Sequence, residues 1–336
     1  MRAEMLLAVE TPPSRLGRLG NGRGWYTLNE GLLTILDDNF APMRRFEIGA
    51  SFPSYAVSPD LTHVVVGGQD RISLLDEYGK VVWSVQHAPW GTRLSLSGSC
   101  EFSSDGSEIW VTVPEPEEDE DGEVIEGEEQ DDGADAPYDF GDQWWVIDAA
   151  TGVILERSPL GCEATGSAHV RHPDGVHMGL NVGEGQDGSN FYWGCRRGGD
   201  FHVTTKYDLT RSLADIHPEG TAYLTVPRES DGIMVHDFAS HSVIARRPNS
   251  DLLLLPGEWP IFAGYLDCEY ILVETVDRKW NFGRHIVLQA QGLDVLGEVC
   301  YPPSVGPGRW MDDGSDRDGR WMTRIGDRLF QWRLAK

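Results

Sequence analysis

Three histidines fall within nine residues: His169, His172 and His177, with Cys195 eighteen positions further on. Imidazole and thiolate are ligands that zinc accepts. Their placement argues for another role. His169 falls on a strand-like run, His172 on the turn "HPDG" and His177 on the next run. His172 also has a counterpart, His217 in "HPEG", 45 positions later, so it reads as a turn residue. A second cluster is acidic. Glu115 to Asp142 carries 15 carboxylates, and no Lys or Arg lies between Arg93 and Arg157. Glu117, Asp119, Asp121, Gly122, Val124 and Glu128 match calcium-loop positions 1, 3, 5, 6, 8 and 12. Position 1 normally takes Asp, and Pro114 and Pro116 forbid the entering helix such a loop needs. The tract therefore reads as a disordered loop held open by self-repulsion, spanning 115–142. His169, His172, His177, Asp119, Asp121 and Glu128 remain weak metal candidates only. No nucleophile elbow, phosphate loop or Ser–His–Asp set is legible, and neither metal nor cofactor is expected.

Composition narrows the partners. The chain has 336 residues, a net charge of −26 and a pI near 4.6. That charge repels phosphate backbones and anionic lipid, so neither nucleic acid nor membrane is expected as a partner. No window approaches the 18 apolar residues of a membrane span. The opening "MRAEMLLAVETPP" lacks the pattern of a signal peptide. The five cysteines include no CxxC pair, which suits reduced thiols in a cytoplasmic protein. Arg outnumbers Lys by 24 to 4, the bias of GC-rich bacterial genomes.

The elements that must position these residues show a period. Turn signals recur at "SPD", "SSDG", "HPDG", "HPEG", "LDCE" and "DRDG", with acidic residues at 60, 105, 174, 219, 267 and 318. The steps are 45, 69, 45, 48 and 51 residues, and the acidic tract accounts for the long one. Each unit reads as four short β runs separated by turn chemistry: "SYAV", "HVVVGG", "RISLLD", "VVWSV". Four-stranded units near 45 residues are propeller blades, because one meander cannot bury both of its faces alone. The sequence therefore predicts an all-β, seven-bladed propeller of antiparallel blades as one domain, 1–336. The last unit supplies only three strands, so Glu4–Val9 is expected to close it beside Leu329–Leu334.

"SPDLTHVVVGGQDRISLLD" resembles a WD-repeat blade, with Leu75-Asp76, Ile147-Asp148 and His236-Asp237 standing where Trp-Asp would be. The resemblance implies a platform for protein or peptide partners. A second, shorter resemblance is to quinone-dependent propellers. It rests on the Asp76, Gly79-Lys80 and Trp83 run and on Asp148 to Gly152, with Glu156 where that family has Trp. A hairpin turn with a packing Trp explains the same residues without a cofactor.

Propeller connectivity puts second-to-third-strand loops and interblade loops on one rim. The acidic tract, Arg228, Lys279 and Trp280 are expected on loops of the first kind. Trp90, Trp259 and Trp310 are expected on interblade loops. Exposed Trp and Arg anchor interfaces. The leading reading is a monomeric, non-catalytic scaffold that binds a protein or peptide at this rim, with the tract steering basic ligands. The alternative is an enzyme, a hydrolase, lyase or tailoring enzyme, working at the channel mouth.

Overall fold

The computed structural model describes residues 1–10, 15–19, 24–49, 54–90, 98–114, 142–162, 166–183, 188–206, 211–227, 232–277, 279, 282–310 and 319–335. They form seven four-stranded antiparallel sheets arranged as propeller blades. Strand β1 (Ala3–Glu10) opens the chain. Blade 1 is β2 (Arg15–Arg18), β3 (Trp25–Asn29), β4 (Leu32–Leu36) and β5 (Pro42–Glu47). Blade 2 is β6 (Ser54–Val57), β7 (Val64–Gly67), β8 (Arg71–Leu75) and β9 (Val81–Gln86). Blade 3 is β10 (Cys100–Phe102), β11 (Glu108–Val113), β12 (Gln143–Asp148) and β13 (Ile154–Pro159). Blade 4 is β14 (Gly166–Arg171), β15 (His177–Gly183), β16 (Ser189–Arg197) and β17 (Asp200–Lys206). Blade 5 is β18 (Arg211–Ile216), β19 (Ala222–Pro227), β20 (Ile233–Asp237) and β21 (Val243–Arg247). Blade 6 is β22 (Glu258–Tyr265), β23 (Tyr270–Asp277), β24 (Phe282–Gln289) and β25 (Val295–Glu298). Blade 7 is β26 (Arg309–Trp310), β27 (Arg320–Ile325) and β28 (Arg328–Leu334), with β1 as its outer strand.

The expected closure is present. β1 runs antiparallel to β28 from Ala3↔Leu334 to Glu10↔Arg328, with a register slip between Met5 and Leu7. The Arg333 guanidinium binds the Glu4 carboxylate at 2.8 Å and holds it below the usual carboxylate pKa range. The only helix among the described residues is the 3-10 turn Asn249–Asp251. Among the described residues no helix is long and apolar enough to cross a membrane.

The core lies between blades. Second and third strands read as continuous apolar runs, such as "EIWVTV" and "QWWVID", because both of their faces are covered. Outer strands alternate, as in β9, whose residues run from half-buried to exposed. Polar side chains tie neighbouring blades where the backbone cannot. Asn181 on β15 accepts the Leu213 N–H at 2.8 Å and donates to the Leu213 carbonyl at 2.6 Å, copying a ladder pair across the blade 4–5 seam.

The recurring turns explain themselves in three dimensions. They join first and second strands and form a belt on the lower rim. Ser104 Oγ donates to the His172 carbonyl at 2.7 Å, and the His172 Nε2 lies 3.1 Å from the Gly220 carbonyl. The Gly319 N–H donates to the Leu266 carbonyl at 2.9 Å. Gly220 has φ +72° and sits where a Cβ would come within 2.7 Å of the His172 ring, so glycine is needed twice over. The Asp76–Trp83 run also resolves as a turn. Asp76 Oδ1 accepts the Tyr78 and Lys80 amides, and Trp83 reaches the next blade to donate to the Ala149 carbonyl beside Gly152.

The acidic tract, 115–141, lies outside the described residues, together with Asp119, Asp121 and Glu128. Its two stems are described: Val113 pairs with Gln143, which closes the ladder of β11 and β12 below it. Replacing 117–136 by a short Gly-Ser linker is therefore expected to leave the melting curve within about 2 °C of wild type, since loop length costs only ~0.6 kcal/mol per doubling. Calcium calorimetry should show no tight site in either protein. A drop of 5 °C or more, on the order of several kcal/mol, would mean the tract packs on the propeller.

Candidate functional site

The upper rim carries the second-to-third-strand connections and the interblade connections. Glu258 pairs with Asp277, which places the start of β22 beside the connection holding Lys279. Lys279 is exposed, and its N–H donates to Asp277 Oδ1 at 2.7 Å. Trp259 is half-buried, opposite Val276. Two expectations need correction here. Trp259 and Trp310 do not sit on interblade loops; they are residues of β22 and β26, because the inner strands begin earlier than the turn signals implied. Arg228, Trp280 and the Trp310 side chain lie outside the described residues.

Trp90 is on the interblade connection as expected, but it is 5% exposed. Its N–H donates to the Gln69 carbonyl at 2.8 Å, and the Gln69 side-chain amide bonds back to the Trp90 carbonyl. Trp90 therefore plugs its own blade and offers little surface to a partner.

The histidines separate into two environments. Trp144 donates its indole N–H to His169 Nε2 at 2.9 Å, so the ring proton must sit on Nδ1, facing Ser99 Oγ at 2.8 Å. Burial pushes the His169 pKa down to about 3. Ser99 and Ser167 lie 2.8 Å apart beside it, yet neither is an activated nucleophile. A general base needs a lone pair aimed at the hydroxyl, and here the indole holds the only one. The same bond removes His169 from the metal candidates. β14, the turn and β15 hold His169, His172 and His177 in the order expected.

His172 is 3% exposed and lies on the lower rim, where Phe238 of blade 5 stacks on it at 4.2 Å between centroids. Its Nδ1 is 2.8 Å from Asp174 Oδ1, and His177 Nδ1 is 2.7 Å from Asp174 Oδ2. Burial lowers the His172 pKa, partly offset by Asp174. Asp174 is itself desolvated, yet the His177 and Val176 amides and the His177 ring hold its carboxyl far below the ordinary range.

A third group lies between blades 6 and 7, with Glu274, His285 and Trp321 buried and Tyr301 half-buried. Trp321 donates to the Tyr301 hydroxyl at 3.0 Å, which faces His285 Nδ1 at 2.8 Å. His285 Nε2 then faces Glu274 Oε1 at 3.6 Å. Burial raises the Tyr301 pKa. Sequence reasoning missed this chain because its members come from three strands and a connection of two blades, with no shared spacing.

Comparison with known proteins defines the class by shape alone. No protein-family sequence pattern matches the chain, and no curated protein sequence does. Among solved structures it is similar to the β-propeller domain of Cps50 (Swd1) from Myceliophteria thermophila, with TM-score 0.61 and 10% identity over 99% of this chain and 100% of that one. It is also similar to the Pan2 WD40 domain of Neurospora crassa, with TM-score 0.57 and 12% identity over 99% and 96% of the two chains. Hydrazine synthase from Kuenenia stuttgartiensis matches with TM-score 0.57 and 14% identity over 98% of each. The fold is thus a seven-bladed propeller with WD40 neighbours, and fold alone does not choose between binder and enzyme.

Proposed function

We propose that the protein is a non-catalytic binding module that takes a protein or peptide partner on its upper rim. One observation carries the reading: connectivity brings the stems of the acidic tract, the exposed Lys279 and the half-buried Trp259 to the same rim. A rim that carries an aromatic anchor and the stems of a strongly charged insertion suits a partner steered by charge and held by apolar contact. The tract's 15 carboxylates favour a basic segment. The WD40 neighbours support a platform role, and the Ser99–His169 tautomer gives no support to serine catalysis.

A pull-down series tests the face. Trp259→Ala and Trp280→Ala are expected to weaken partner capture by about 10-fold or more each. Asp60→Ala and Glu219→Ala, on the lower-rim turns, should leave it unchanged. Lower-rim substitutions that abolish capture while the Trp variants retain it would place the partner on the other face.

A further inference from the structure

We propose that the lower-rim turn of blade 4 is a transition-metal site, with His172, Asp174, His177 and Cys195 as ligands for a zinc-class ion. His172 Nδ1, an Asp174 carboxylate oxygen and His177 Nδ1 lie within 4.8 Å of one another. The sequence reading favoured a plain turn. The folded geometry gives three reasons to go beyond it.

The first reason is a count of lone pairs. The His172 ring stands between two acceptors, Asp174 Oδ1 at 2.8 Å from Nδ1 and the Gly220 carbonyl at 3.1 Å from Nε2. A neutral imidazole has one N–H. If Nε2 donates to Gly220, the Nδ1 lone pair accepts the Asp174 N–H at 3.3 Å and still lies 2.8 Å from the carboxylate. A cation placed between Nδ1 and Asp174 turns that repulsion into two coordination bonds. The Nε2–H to carbonyl bond is then the outer contact that metal-bound imidazoles make, and it fixes the tautomer.

The second reason comes from the sibling turns. Ser58 and Ser103 occupy the position of His172, and each hydroxyl simply donates to the turn carboxylate, at 2.6 Å to Asp60 and 2.7 Å to Asp105. In blade 5, His217 Nδ1 accepts the Glu219 N–H at 3.2 Å, just as His172 Nδ1 accepts the Asp174 N–H at 3.3 Å, but Ala222 stands where blade 4 has His177. The turn therefore forms without a second imidazole. The pairing of His172 and His177 through one carboxylate belongs to blade 4 alone among the described turns.

The third reason is register. Cys195 on β16 lies directly opposite His177 on β15. Cross-strand partners share a face, with Cβ atoms roughly 4.5–5.5 Å apart. Register therefore puts the Cys195 thiol on the same face as His177, outside the three-atom group itself, and His202 continues the row on β17, opposite Cys195. Two nitrogens, one carboxylate and one thiolate make the four-coordinate set zinc prefers. Opening the two short His–Asp contacts by roughly 0.5 Å admits an ion with ~2.0–2.3 Å bonds. On binding, the His177 N–H moves from Nδ1 to Nε2, and the thiol proton is released.

The test is calorimetric titration of the chelator-stripped full chain with zinc, in excess calcium so that the carboxylates of the acidic tract are occupied. One equivalent should bind, and cobalt substitution should give a thiolate-to-cobalt charge-transfer band. His177→Gln and Cys195→Ser, both at positions that are not fully buried, should keep the wild-type circular dichroism spectrum. Each should weaken zinc binding by about 100-fold, and Cys195→Ser should abolish the band. Absence of stoichiometric zinc binding in wild type overturns the site. So does equal affinity in His177→Gln. A cobalt complex without the thiolate band removes Cys195 from the ligand set.

Discussion

Deletion of residues 1–10 should lower the melting temperature by on the order of 10 °C and drive the protein toward aggregation. Seven residue pairs join β1 to β28, and at ~0.5–1.5 kcal/mol for each net hydrogen bond their loss costs roughly 5 kcal/mol. Further contacts go with them. The Ala3 N–H donates to the Cys300 carbonyl at 3.0 Å, and the Ala335 N–H to the Arg2 carbonyl at 2.9 Å. Ala3 and Ala8 pack against the cluster that contains Trp321, Phe330 and Trp332. Without β1, β28 becomes an open edge with unpaired donors and acceptors. Differential scanning calorimetry and light scattering read both effects. A truncated protein with unchanged melting temperature and scattering would mean that β1 contributes nothing to closure.

Asp215→Ala should produce the largest loss of any single substitution considered, on the order of 2–5 kcal/mol. Asp215 is 7% exposed on β18. Its Oδ1 accepts the Ile216 N–H at 2.7 Å, and its Oδ2 accepts the Tyr265 N–H of blade 6 at 2.8 Å. The ladder of β18 and β19 slips in register between Leu213 and Asp215. The carboxylate therefore stands in for the ladder at the seam between two blades. Alanine strands two amides where water enters poorly. Asp215→Asn keeps one acceptor oxygen, so about half of the loss should return. Urea unfolding measures both variants, and an alanine midpoint equal to wild type would show that the seam does not depend on this clamp.

The architecture was legible because a propeller writes its period into turn chemistry. Ser58, Ser103, His172 and His217 each recur at the same place in a unit, and that spacing does not depend on any tertiary contact. Closure was legible by the same counting, since three strands in the last unit leave a gap for Glu4–Val9. The fate of Trp90 was not. Whether a loop Trp turns inward depends on partners such as Gln69, which only the folded chain brings to it. Strand boundaries at Trp259 and Trp310 slipped for a related reason: inner strands start where a neighbouring strand offers partners, at Val276 and Thr323. The blade 4 cluster was half legible. The three histidines stood out, but the Trp144 bond that removes His169, and the register that adds Cys195, appear only once strands are paired.

The mixed blade has a consequence for how the chain reaches its native state. Glu4 and Arg333, which bind each other, are separated by 329 residues. During synthesis β1 leaves the ribosome long before β28 and finds no partner until β28 has been made. Six blades are each contiguous in sequence and can form in order as they emerge. The seventh cannot, so ring closure is the step of greatest sequence separation and is expected to come last and slowest. Until then β1 is an unpaired strand whose Ala3 and Ala8 lack the core they pack against once closed, and it is the segment a chaperone would have most reason to hold.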